Sequence, residues 1–327
     1  MKTSQYVLEL LEQNRGKAVS GEELAAAIGV SRNAVWKAIE ELRRSGVKIN
    51  AKTKTGYFLP ESDNSLSKEG ITALLGDERF TVDVRHTVTS TNDLLKQLAV
   101  TGTPEGYALI AAEQTMGKGR FGRKFYSPDG SGVYISLLLR PKMKAEDSLF
   151  ITTSAAVAVC RAVETISGGR LSPKIKWVND IYINQKKVCG ILTEAAVSFE
   201  SGMLDYAVLG IGINITTPEG DFPEEIKGIA TSLFGGTEQD NIRNRIAAEV
   251  LKELGGLIDA PDDKACLEEY KQRQLLIDRD IVVIKGDKRI FARALGVDER
   301  ARLCVRYEDG STEALISGEV SVRAAGN

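Results

Sequence analysis

Four strand-like runs follow one another with only turns between them: Ile175–Val178, Ile181–Ile183, Lys187–Ala196 and Tyr206–Ile215. Strands arranged this way do not build the strand–helix alternation of a doubly wound sheet. The reading is therefore an α+β domain with a mixed sheet. Tyr107–Glu113 and Gly132–Arg140 add strands, and Phe150–Ile166 reads as a largely buried helix rich in small residues. Ile242–Leu257 and Lys264–Arg273 read as further helices.

Both ends of the chain follow different patterns. Tyr6, Val7, Leu10 and Leu11 recur at helical spacing over residues 3–14. Ser20-Gly21-Glu22-Glu23 is a helix start and Gly29 a stop. Ser31 opens a third helix running from Arg32 to about Ser45, with Val35, Trp36, Ile39 and Leu42 on its apolar face, and Gly46 stops it. Residues 47–59 read as a hairpin with a basic tip. The polar stretch from Pro60 reads as a linker, followed by a short helix around 67–75. After Ile281 come short strands at 281–283, 289–294, 296–297, 302–307 and 311–315, which suggest a small antiparallel barrel. The 327 residues thus divide into 1–62, 63–82, 83–271 and 272–327, three domains and a linker, where about 150 residues per domain suggests two, or three if some are small.

Composition removes several classes. With 43% hydrophobic and 27% charged residues, the chain is neither disordered nor fibrous. No apolar run is read as approaching the about 18 residues that span a bilayer, and Glu9 and Glu12 interrupt any signal peptide. No membrane association and a cytoplasmic location are expected. Cys160, Cys189, Cys266 and Cys304 are scattered, without a metal or disulfide pattern. His86 is the only histidine, which rules out a multi-histidine metal site; it reads as a surface or strand residue. Any chemistry must rest on Lys, Arg, Asp, backbone amides and magnesium.

The net charge of −2 hides an asymmetry: residues 1–60 carry 10 Lys+Arg and 6 Asp+Glu, the rest 33 and 39. Three helices and a hairpin with this basic bias form a winged helix-turn-helix pattern. Ser31, Arg32, Asn33 and Lys37 lie at the start of the third helix, where such helices enter the major groove. Lys52 and Lys54, with Lys48, would meet phosphates. The alternative is a packing module with solvated lysines.

Four further motifs carry chemistry. Gly117-Lys118-Gly119-Arg120-Phe121-Gly122-Arg123-Lys124 can wrap amides and cations around an anion, or be a plain flexible loop. It lacks the spacing of a Walker loop and does not open a helix. Lys176-Trp177-Val178-Asn179-Asp180 could pair with phosphate, hold magnesium or orient an amine, or be an ordinary β-turn. Ser90-Thr91-Asn92-Asp93 reads as a ligand site or a helix cap. The strand glycines in Lys187-Val188-Cys189-Gly190-Ile191-Leu192 and Gly210-Ile211-Gly212-Ile213-Asn214 mark a close approach of ligand or backbone.

In order and together, STN, GKGRFGRKFYSP, KWVND, KVCGIL, GIGIN and GEVSVR resemble the bifunctional biotin–protein ligase and biotin-operon repressor family over essentially the whole chain. The resemblance implies a winged helix-turn-helix, a mixed-sheet ligase domain and an SH3-like C-terminal barrel. It implies formation of biotinyl-5′-AMP from biotin and ATP with Mg²⁺. Biotin then passes to a lysine of a biotin carboxyl carrier domain, of acetyl-CoA carboxylase or another biotin-dependent carboxylase. It also implies operator DNA as a partner, and a homodimer when the adenylate is bound.

Carried over residue by residue, Ser90, Thr91, Asn92, Gln114, Lys118, Gly119, Arg120, Lys187 and Gly190 would bind biotin. Lys176, Asn179, Asn214, Glu319 and Arg323 would bind the nucleotide, and Asp180 the magnesium. Arg120, Lys187 and Asp180 would be catalytic. The chain departs from the family at Lys118, Phe125 and Val178, where arginine, tryptophan and proline are usual. Lys118 keeps the charge but loses the bidentate fork. An enzyme without operator binding, a ligand sensor without catalysis, and a lipoate-type ligase are the alternative readings.

Overall fold

The computed structural model describes residues 2–44, 47–53, 55–198, 200–237, 240–259, 264–316 and 319–322. It opens on three helices, α1 (Thr3–Gln13), α2 (Gly21–Ile28) and α3 (Arg32–Arg44). The hairpin β1 (Asn50–Lys52) and β2 (Gly56–Phe58) follows. Ser20 and Glu23 cap α2 reciprocally: the Glu23 amide donates to Ser20 Oγ at 3.1 Å and the Ser20 amide to the Glu23 carboxylate at 2.8 Å. Val7, Leu11, Leu24, Val35 and Ile39 are fully buried together. Trp36, expected on the apolar face, instead stands 51% exposed. Val19 bridges to Tyr57 and gives the hairpin a third edge. Gly56 permits this, because a Cβ there would collide with the Val19 carbonyl. The expected stop at Ser45 and Gly46, and Lys54 at the tip, lie outside the described residues.

Next come α4 (Lys68–Leu75), β3 (Thr81–Val88), α5 (Thr91–Val100), β4 (Tyr107–Gln114), β5 (Gly132–Leu139) and α6 (Leu149–Ser167). The strands β6 (Lys174–Lys176), β7 (Asp180–Ile183), β8 (Lys186–Val197) and β9 (Leu204–Asn214) are followed by helices α7 (Glu224–Lys227), α8 (Ile242–Asp259) and α9 (Lys264–Gln272). The sheet order is β3-β4-β5-β9-β8-β7-β6, parallel only between β3 and β4. Strand β3 escaped the sequence reading. Its Val82, Val84 and Val88 alternate with polar residues, the signature of an edge strand with one wet face. His86 lies exposed on it, 3.4 Å from Asp129.

The two faces of this sheet differ. One packs on α4, α6 and α8 in a continuous core that includes Ile135, Leu137, Leu209 and Ile211. The other is covered only in part, by Leu95 and Ala99 of α5 over Leu109, Leu138 and Val208. The rest of that face borders a cavity. Contrary to expectation, one segment, Ala145–Ser167, is long and apolar enough by length and composition to cross a bilayer. Of that window 67% is buried, so the apolarity belongs to the central core helix. Cys160 sits in this helix, where burial pushes its thiol up to about 12, away from reactivity.

The tail folds as β10 (Asp280–Lys285), β11 (Lys288–Val297), β12 (Leu303–Tyr307), β13 (Thr312–Leu315) and β14 (Glu319–Val322). They form an antiparallel sheet in the order β13-β12-β11-β10-β14. The runs read separately at 289–294 and 296–297 are one strand with an irregularity between Ala294 and Gly296. The Trp177 indole donates to the Ala301 carbonyl at 3.1 Å, tying this sheet to the central one.

The segment read as a linker is pinned. Arg15 donates to the Pro60 and Asp63 carbonyls at 2.8 and 3.2 Å and pairs with Glu12. Asn244 of α8 donates to Ser65 O and accepts from the Ser67 amide. Its neighbour Arg243 is buried and donates to the carbonyls of Gly132 and Ala112 at 2.9 and 3.1 Å, with Asp129 3.7 Å away. Removing that side chain strands two buried acceptors. Arg243→Ala is expected to cost about 3 kcal/mol in urea unfolding; a loss under about 0.5 kcal/mol, the range of ordinary surface changes, would show that Arg243 does not brace β4 and β5.

Candidate active site

A cavity of about 850 Å³ occupies the uncovered half of the sheet face. Its floor is nearly bare backbone. Gly212 of β9 is in register with Gly190 of β8 and Tyr134 of β5; Gly210 is in register with Leu192 and Ser136. A Cβ on Gly210 would strike the Asn92 amide, and one on Gly212 the Phe125 ring. On Gly190 it would come within 3.0 Å of Lys187 Nζ and of Phe125. These strands carry glycine because side chains from elsewhere lie flat on them.

One end of the cavity is neutral and polar. Ser90 caps α5 by accepting from the Asp93 amide at 3.4 Å. The Thr91 amide donates to Gln114 Oε1 at 2.8 Å, and Thr91 Oγ1 lies 3.0 Å from the same oxygen. Gln114 Nε2 donates to Ser127 Oγ at 3.1 Å. Ser136 Oγ is 2.7 Å from Thr91 Oγ1 and 2.6 Å from Asn92 Oδ1. Asn92 Nδ2 donates to Leu192 O at 3.3 Å and to Glu194 at 2.9 Å. Such a set recognises a small ring bearing amide-type donors and acceptors.

The other end is ionic. Lys187 Nζ contacts Asp180 Oδ1 at 2.7 Å, without hydrogen-bond alignment, so this buried oxygen has no directed donor. The Lys187 backbone is held on both sides, donating to Ile229 O and accepting from the Thr231 amide at 2.8 Å each. Its ammonium lies 5.8 Å from the Phe125 ring centroid. Arg120 donates to Asn179 Oδ1 at 3.2 Å, and Asn179 Nδ2 to Ile191 O at 2.7 Å. Asn214 Nδ2 donates to Thr231 O at 3.1 Å, and Lys176 Nζ is 5.7 Å from the Tyr182 ring centroid.

The glycine-basic loop joins the two ends. It folds back on itself, with Lys118 opposite Lys124, Gly119 N bonded to Arg123 O at 2.7 Å, and a 3₁₀ turn over Arg120–Gly122. Phe121 takes a left-handed φ of 56° and stands exposed, unusual for a bulky residue. Lys118 pairs with Asp93 at 2.6 Å, and Lys96 with both Asp93 and Glu194. Partial burial works against the Asp93 charge, but bonds from Lys118 and Lys96 outweigh it and hold the carboxyl below its ordinary range. Partial burial likewise opposes the Lys96 charge, and its bonds to Glu194 and Asp93 raise its pKa overall.

Ser90, Thr91, Asn92, Gln114, Lys118, Gly119, Arg120, Lys176, Asn179, Asp180, Lys187, Gly190 and Asn214 all line this cavity. Glu319 begins β14 in the C-terminal sheet, and Arg323 lies outside the described residues. Among the described residues no group of three or more His, Cys, Asp or Glu could hold a metal. The sequence reading missed Ser136, Glu194 and the wall from Phe222 to Ala230. Ser136 had a signal, as a hydroxyl in the otherwise apolar run Gly132–Leu139; the wall had none.

On the winged domain, Ser31, Arg32, Asn33 and Lys37 are exposed along the start of α3, with Trp36 among them. Lys52 is exposed on β1, and Lys54 is outside the described residues.

Comparison with known proteins agrees with this division. The biotin/lipoate A/B protein ligase family matches residues 84–214, an HTH domain matches 3–58, and the biotin protein ligase C terminal domain matches 276–323. A bifunctional ligase/repressor BirA of Bacillus subtilis is 40% identical over 232 residues, 69% of each chain. The Escherichia coli protein of that name is 29% identical over 313 residues, 95% of this chain and 94% of its own. The biotin protein ligase of Aquifex aeolicus, solved with biotin and ATP, superposes with a TM-score of 0.59 at 28% identity. That match covers 75% of this chain and 99% of that one. The chain belongs to the biotin–protein ligase family, in the bifunctional class that joins a ligase to a helix-turn-helix repressor domain.

Proposed function

We infer that the protein is a cytoplasmic biotin–[acetyl-CoA-carboxylase] ligase that also represses biotin operon genes, with biotinyl-5′-AMP as corepressor. One observation carries the reading: a neutral polar end at Ser90–Asn92 and Gln114 and an ionic end at Lys187, Asp180 and Arg120 share one glycine-floored cavity. Biotin matches it, with a ureido ring at one end and a carboxylate at the other. Residues 1–62 are assigned to operator DNA, 83–271 to catalysis and 272–327 to the C-terminal domain.

The ureido ring lies against Ser90, Thr91, Asn92 and Gln114, and the valeryl chain runs over Gly190 and Gly212 past Phe125. The carboxylate meets Lys187. Its oxygen attacks the α-phosphorus of ATP, the bond to the β-phosphate oxygen breaks, and pyrophosphate leaves. Two anions must approach each other, so cations are needed where charge accumulates. Lys187 and Arg120 supply them, with Lys118 and Gly119 in the loop above and Lys176, Asn179, Asn214, Glu319 and Arg323 assigned to the nucleotide.

Asp180 suits a magnesium ion, because its buried oxygen has no directed donor and this metal needs only one or two protein carboxylates beside phosphates. When bound, the ion neutralises phosphate charge. The product is a mixed anhydride, and the loop 117–124 keeps water from it. A carrier-domain lysine then attacks the carbonyl carbon, AMP leaves, and Asp180 takes the proton of the attacking amine.

Among the described residues, strand β8 has no strand partner on its β7 side after Ile191, whose amide donates to Asn179 O, since β7 pairs with Lys186–Gly190. This free edge at 192–197 is the proposed surface for either the carrier domain or a second copy of the chain.

Three outcomes are expected. With biotin, ATP and Mg²⁺, a biotin carboxyl carrier domain should gain one biotinyl group on one lysine. Lys187→Met should lower that rate at least about 100-fold, the size of one removed charge-stabilising group; an unchanged rate would refute the role of Lys187. In sedimentation, biotin plus ATP should convert monomer to dimer; a monomer throughout would contradict adenylate-linked dimerisation.

A further inference from the structure

Helix α3 buries Val35, Ala38, Ile39 and Leu42 in the core of the winged domain. Its other side carries Arg32, Asn33, Trp36 and Lys37, all exposed. At about 3.6 residues per turn, Trp36 falls between Arg32 and Asn33 around the helix. Helical side chains lean toward the N-terminus, so the indole leans over the turn that begins at Arg32. A large apolar ring, 51% exposed, thus stands in the middle of a cationic and polar face, although the apolar side of the same helix is already filled.

The charges around it fit a polyanion. The first turn of α3 holds no acidic residue, and among the described residues Arg32 and Lys37 have no ion-pair partner. Glu40, one turn beyond Trp36, is paired with Arg43 at 2.9 Å. Lys48 and Lys52 add exposed cations at the hairpin. A duplex, with phosphates on both sides of its groove, matches this arrangement. A second copy of the chain would set these cations against themselves.

The floor of the major groove offers donors and acceptors, and only one apolar group, the C5-methyl of thymine. The face of an indole matches that methyl and none of the polar edges. We propose that Trp36 is a specificity-determining residue that packs its indole on a thymine methyl in the major groove of the bound duplex. This deepens the operator-DNA reading and rests on it. The cations give affinity that every sequence receives, whereas the indole gives preference for one base pair over another.

The test compares two duplexes on the full-length chain with biotin, ATP and Mg²⁺. One is the duplex that the wild type enriches from a random-sequence library, and the other is an unselected random duplex. Trp36→Ala should weaken the enriched duplex about tenfold, the size of one lost base contact, and leave the random one within about twofold. Replacing one thymine of the enriched duplex by deoxyuridine removes a single methyl. That replacement should weaken wild-type binding about fourfold and leave Trp36→Ala unchanged, since the methyl then has no partner to lose. Trp36→Lys adds a cation at the same exposed position. It should bind the random duplex at least as tightly as the wild type and still lose the preference.

Undiminished preference in Trp36→Ala or Trp36→Lys would overturn the proposal. So would an enriched duplex in which no thymine methyl matters, or replacements that weaken Trp36→Ala as much as the wild type. Wild-type protein that enriches no duplex would instead overturn the operator-DNA reading.

Discussion

The bare floor formed by Gly190, Gly210 and Gly212 is the constraint on which the rest of the site depends. Backbone without side chains lets Asn92 from α5 and Phe125 from the loop after β4 come down onto the strands. That contact brings a helix start, a loop and two strand ends to one cavity, although they are far apart in sequence. It also fixes which sheet face is available. Helix α5 covers one end of that face, while α4, α6 and α8 fill the other side. Any larger residue on the floor would push out Asn92 or Phe125, and each of these holds part of the site in place.

The electrostatics follow the same economy. The cations of the site do not wait unpaired in a partly buried cleft, where an isolated charge is costly. Lys187 rests against Asp180 and Phe125, Arg120 against Asn179 and Phe121, and Lys118 against Asp93. An incoming carboxylate or phosphate exchanges one partner for another. Lysine at 118 gives a point charge that a single Asp93 oxygen satisfies. The polar end is neutral instead, and the Glu194 carboxylate there accepts from Asn92 Nδ2.

The sequence showed much of this molecule because its local signals agree with its fold. The caps at Ser20 and Ser90, the stop at Gly29 and the glycines of β8 and β9 each mark a feature that the structure has. The winged helix was legible from the order of its elements and its basic third helix. What was not legible depends on distance. Edge strand β3 hides behind polar residues on its wet face. The wall from Phe222 to Ala230 has no motif, and its Ile229 carbonyl meets the Lys187 amide through backbone that any residue type could supply. Glu194 looks like any charged residue on a strand until Asn92, 102 positions away, is placed beside it. Trp36 fitted a helical stripe and nonetheless faces outward, because position on a helix wheel does not say how wide the covered face is.

The central claim is that one cavity joins two anions and retains the product. The direct test is to incubate the protein with biotin, Mg²⁺ and ATP labelled at the α-phosphate, separate free nucleotide by desalting, and identify the label that stays with the protein. Biotinyl-5′-AMP bound to the chain, with pyrophosphate released in equal amount, is the predicted result. Biotin bound without any labelled adenylate or pyrophosphate would contradict it.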